Sequence, residues 1–230
     1  MNLLTTYPPD IEKLLKDLKE TQWLTIAYAI VALDPDETPN YEEINEAAMH
    51  SFRPGYHQPD GRLVQRASID RSKMRSWVVT PAEFMGRYYD MQARKLIVEA
   101  RMLMDSNRRY DYKPGEYDAF FYYDSEPKLE SEIQLADVDT RGDKDDPNAS
   151  AGYAHAFSFP PHHPSPAISG KLIERVTTEL FNDFENVEIR RWSNNWSDYF
   201  DGGYDWGAYW WTVYDKTKNR VVVVMNVTSD

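Results

Sequence analysis

Residues 208–228 read AYWWTVYDKTKNRVVVVMNVT, two runs of aromatic and β-branched residues on either side of a polar turn. Runs of this composition favour strands, and DKTKN is short enough to join Ala208–Tyr214 to Arg220–Thr228 as an antiparallel hairpin. In an extended chain Trp210, Thr212 and Tyr214 project to one face, and Tyr209, Trp211 and Val213 to the other. The partner run VVVVMNV is apolar on both faces, so both sides of the hairpin need a cover. The fold class follows: α+β, with a largely antiparallel sheet packed against two or three helices.

The covers are sought upstream. Asp10 can cap a first helix that places Ile11, Leu14, Leu15 and Leu18 on one face. TQWLTIAYAIVAL, residues 21–33, is uncharged and rich in β-branched and aromatic residues. It reads as a buried strand, although its alanines also fit a continued helix. A polar stretch from Asp34 to Asp60 reads as loop, with a short helix around Glu42–His50, and Leu63–Ile69 and Met74–Val79 are candidate strands. Thr80-Pro81-Ala82-Glu83 has the form of a capping box with proline in the first turn. It predicts one long central helix over about residues 81–105. On that helix Glu83, Arg87, Asp90, Arg94, Arg101 and Asp105 form a charged stripe with opposite signs at i,i+4. Phe84, Tyr88, Met91, Val98 and Met102 define an apolar flank, and Met85, Tyr89, Leu96, Ala100 and Leu103 another. This helix is expected to cover one side of the hairpin, and a C-terminal helix or a loop the other.

Further along, Glu116–Asp124 and Ile133–Val138 read as strands and residues 139–150 as a polar loop. Tyr153–Phe159 alternates large and small residues as a half-buried strand does. Ser165-Pro166 starts a helix carrying Leu172, Ile173, Val176, Leu180 and Phe184, and Val187–Trp192 is a strand. Residues 1–230 are expected to form a single domain, with possible lobes 1–138 and 151–230 joined by the acidic loop.

Composition narrows the function. The chain has 230 residues, 41% of them hydrophobic, and no cysteine, so thiolate nucleophiles and cysteine-based metal sites are excluded. The opening residues lack the features of a signal peptide, and no apolar run is long enough to span a bilayer. A cytoplasmic protein without membrane attachment is expected. The net charge of −12 argues against binding nucleic acid through its phosphates. Charge is also uneven: residues 111–146 hold twelve acids and four bases, whereas residues 53–75 hold six bases and two acids. Two solvated loops that attract each other would explain this, and so would an acidic face for a protein partner with a basic surface.

Candidate sites are few. The loop 137–148 places Asp137, Asp139, Asp143 and Asp145 at offsets like those of a calcium loop. However, Arg141 and Asn148 stand where ligands are needed, so no metal is expected. His155, His162 and His163 cluster in sequence without a recognisable metal spacing. With Asp198, Asp201 and Asp205 they would make the pocket of a small hydrolase or ligand-binding protein. No elbow motif, phosphate-binding loop or dinucleotide motif is present, and no cofactor is expected. Residues 192–206, WSNNWSDYFDGGYDW, mix aromatic rings with aspartates in a turn-rich segment. Trp196, Asp198, Tyr199, Asp201, Tyr204, Asp205 and Trp206 are therefore candidate partner contacts, together with the acids of the 137–145 loop.

A resemblance points the same way. A small, acidic, cysteine-free chain opens with a helix, follows it with an aromatic W-x-x-x-x-Y strand (Trp23, Tyr28), and runs WSNNWSDYFDGGYDWGAYWWTVYDK into a last hairpin. It resembles the cytosolic immunity proteins of bacterial polymorphic toxin systems over about a third of its length. That resemblance implies a non-catalytic protein that binds and neutralises one toxin.

Overall fold

The computed structural model of the chain describes residues 2–21, 26–52, 55–57, 63–99, 120–124, 152–158, 166–200 and 208–227. The first half contributes β1 (Asn2–Leu3), α1 (Pro9–Thr21), β2 (Ile26–Ala32), α2 (Tyr41–Phe52), β3 (Gly55–His57), β4 (Leu63–Arg66), β5 (Ser76–Val79), α3 (Pro81–Met85), β6 (Tyr89–Asp90) and β7 (Lys95–Glu99). The remainder contributes β8 (Phe120–Tyr122), α4 (Gly152–Ser158), α5 (Pro166–Glu179), β9 (Val187–Trp192), β10 (Ala208–Asp215) and β11 (Arg220–Val227). Six strands form one antiparallel sheet in the order β1-β2-β11-β10-β9-β5. The hairpin lies at its centre, with Ala208 opposite Val227 and Asp215 opposite Arg220. A β3–β4 hairpin and a small sheet β6-β7-β8 stand apart from it. The α+β class read from the sequence is the one observed.

The alternation along β10 and β11 sorts the core into two halves. Tyr209, Trp211, Val213, Val222 and Val224 share one apolar cluster with residues of α1, α3, α4 and α5. Trp210, Val221, Val223 and Met225 share the other with Ile44, Ala48 and Met49 of α2 and with Trp192, Trp196 and Phe200. The sheet is thus covered on both faces, which accounts for a valine run with no polar side. Phe84 of α3 organises the first cluster. Its ring stacks on Tyr153 at 5.1 Å and meets Trp211 and Phe181 edge-on at 5.5 and 5.3 Å. Such contacts add about 0.5–1.5 kcal/mol each to the area buried, so this ring ties four separate segments together.

The long helix is not formed. The capping box is present, with Thr80 Oγ1 accepting from Glu83 N, but α3 ends after five residues. Gly86 follows with φ 72, a backbone conformation that glycine reaches without strain and that the helix cannot continue through. The charged stripe therefore has another meaning. Asp90 is buried and accepts from Gln92 N (2.8 Å), Ala93 N (2.7 Å) and the Tyr122 hydroxyl (2.5 Å), which closes the β6–β7 turn. That bond pushes the Tyr122 phenol up to about 12. Arg94, at φ 56, reaches Asp183 at 3.6 Å. The β-branched pair Ile97–Val98 then extends as β7. Arg101, Met102, Leu103 and Asp105 lie outside the described residues, as do the expected strand Ile133–Val138 and the loop 139–150.

Residues 152–158 are helical, not extended. Tyr153 and Phe157 are four apart, so one helix face buries both rings, 5.7 Å from each other, while Ala154 and Ala156 suit a helix interior. The same alternation satisfies a strand, and the packing decides. Gly152 starts α4 at φ 70, where an added Cβ would stand 2.6 Å from Gly86 N and Met85 O. Only glycine allows α4 to sit this close to the end of α3. In the same way, Gly170 in α5 leaves room for the Tyr123 ring, whose hydroxyl donates to Glu174 one turn on at 2.7 Å. The strand expected over Glu116–Asp124 is confined, among the described residues, to β8. No helix among the described residues is long and apolar enough to cross a membrane.

Candidate functional site

Among the described residues the sheet ends at β5, and this edge is where aromatic and charged side chains meet. The basic stretch before β5 is stitched to the turn after β9. Ser68 N donates to Asp198 Oδ1 at 2.7 Å and Asp70 N to Trp196 O at 2.8 Å, with Ile69 bridging to Ser197. Ser193 completes the seam: its N–H donates to Arg75 O at 2.9 Å, and its hydroxyl to Lys73 O at 3.1 Å. Asp70 caps the 3-10 turn Arg71–Lys73 by accepting from Ser72 N. Serine and aspartate recur at this seam because their short side chains answer backbone donors that no ladder reaches.

This seam reassigns the turn residues. Trp196 is fully buried, edge-on to Trp210 at 5.1 Å and to Phe200 at 5.1 Å, so it is a core side chain and not a partner contact. Asp198 is half-buried and spent on Ser68. Tyr199 is half-buried against Phe200, 6.1 Å away. Asp201, Tyr204, Asp205 and Trp206 lie outside the described residues, as do Asp137, Asp139, Asp143, Asp145, His162 and His163. His155 stands on α4 instead of the expected strand, with its ring 5.3 Å from Tyr88. Beside it Tyr28 and Tyr153 share a 2.5 Å hydrogen bond between their hydroxyls. Burial pushes both phenols well above the ordinary tyrosine value.

What the edge exposes is apolar. Trp77 is 49% exposed and Val78 is 62% exposed, and they point to opposite faces of the sheet. Trp77 faces Arg191 across the ladder and Val78 faces Arg190. The Arg190 guanidinium lies 4.8 Å over the Tyr41 ring and donates to Glu188 Oε1 at 2.7 Å, and the Tyr41 hydroxyl donates to the same oxygen at 2.9 Å. Comparison with family models, curated proteins and solved structures finds no match. The site has to be read from its own geometry.

That geometry includes a titratable anchor. Partial burial would raise the Glu188 carboxyl, but the bonds from Arg190 and Tyr41 outweigh it and hold the group below its ordinary 4.5. Its contribution to stability is therefore complete above that value and is lost as pH falls through the lowered one. Urea unfolding from neutral pH down to about 3 should show this as part of the acid limb. The Glu188→Gln variant should be less stable at neutral pH and flatter towards acid; an unchanged limb would remove Glu188 from the account.

Sequence reasoning missed Trp77 and Val78. The signal was there in SWVV, a short apolar strand directly after a run of bases, but strand composition alone does not tell an edge from an interior position. A separate cleft of about 340 Å³ opens beside α1, lined by Thr5, Thr6, Tyr7, Glu12, Leu15, Lys16 and Lys19. It shares no residue with the seam or the edge.

Proposed function

We propose that the chain is a non-catalytic protein-binding module of the immunity-protein kind, which binds a bacterial toxin domain and neutralises it in the cytoplasm. The observation that carries this reading is the β5 edge, where a tryptophan and a valine are left in water at the margin of a well-covered sheet. An apolar strand at a sheet margin offers unpaired backbone groups to another chain, which supports a protein-binding role. The net charge of −12 supports a partner with a basic surface, since opposite charge speeds encounter and sets orientation. The resemblance of the opening and closing segments to immunity proteins supports the same class.

Co-expression with the product of the neighbouring gene, followed by sizing and calorimetry, tests it. The expected result is a one-to-one complex that suppresses toxicity and weakens about tenfold between low and physiological salt, because surface charges are screened. No complex would overturn the reading, and a salt-independent one would overturn its electrostatic part.

A further inference from the structure

We draw no further inference here: the strongest candidate, the exposed apolar patch of Trp77 and Val78 at the β5 margin of the main sheet, carries nothing beyond the protein-binding reading because nothing in the structure shows what covers it.

Discussion

The Asp215→Ala variant is expected to lose about 3–5 kcal/mol in urea unfolding, a large share of the stability of a domain this size. Asp215 is fully buried at the end of β10, where one carboxylate oxygen accepts from Thr217 N at 3.0 Å and Lys218 N at 3.1 Å. The other faces the Arg220 Nε at 3.7 Å. Arg220 in turn donates to the Glu179 and Leu180 carbonyls at 2.6 and 3.2 Å, which satisfies the C-terminal end of α5. Burial lowers the Arg220 pKa and Asp215 opposes that shift. Removing the acid leaves a buried cation with carbonyl partners only, and opens the turn. Asp215→Asn keeps an acceptor for the turn and drops the charge, so it should fall between wild type and alanine. In a double-mutant cycle, adding Arg220→Met to Asp215→Ala should recover part of the loss. An Asp215→Ala protein as stable as wild type would show that the pair contributes nothing.

Trp210→Ala should cost a similar amount, about 3–5 kcal/mol, through the cavity it leaves. Trp210 is buried on the α2 side of the sheet, with Trp196, Phe200 and Phe52 edge-on to its ring at 5.1, 6.0 and 5.8 Å. Its Nε1 also donates to Asn45 Oδ1 at 2.8 Å, and Asn45 is fully buried in α2. Trp210→Phe keeps most of the volume and leaves that oxygen without its donor, at a cost of about 1–3 kcal/mol. The difference between the two variants, read from urea midpoints, separates packing from the hydrogen bond. Equal losses would mean that the ring volume adds little.

The hairpin and the α+β class were legible because the residues of β10 and β11 carry their instruction locally: β-branched and aromatic side chains, a polar turn, and no charge over 208–214 or 221–227. The same locality misled the reading of 81–105. Thr80–Glu83 is a true helix start, and the later acid–base spacing matches a helix, but the stop is Gly86 alone, whose left-handed φ shows only in three dimensions. Residues 153–157 place their large side chains where a strand and one turn of helix agree. The Phe84 stack settles the choice, and it depends on a residue almost seventy positions away. At the site, composition found the aromatic turn but not its burial, because Trp196 is covered by α2 and by the stretch from Ser68 to Arg75, which the sequence holds far from it. Trp77 was passed over for the converse reason: exposure at a sheet margin is a property of strand order.

Strand order also sets a timetable. β2 lies beside β11, with Val31 opposite Val221, about 190 residues later in the chain. At the usual pace of synthesis, roughly 5–20 residues per second, β2 leaves the ribosome some 10–40 s before its neighbour exists. Ile30 and Val31, fully covered in the finished fold, spend that interval with only the two-residue β1 to pair with. The helices can form as they emerge, but the central ladder closes only when β11 slots between β2 and β10. Its assembly belongs after translation of that strand, and the waiting β2 is the segment a chaperone would meet first.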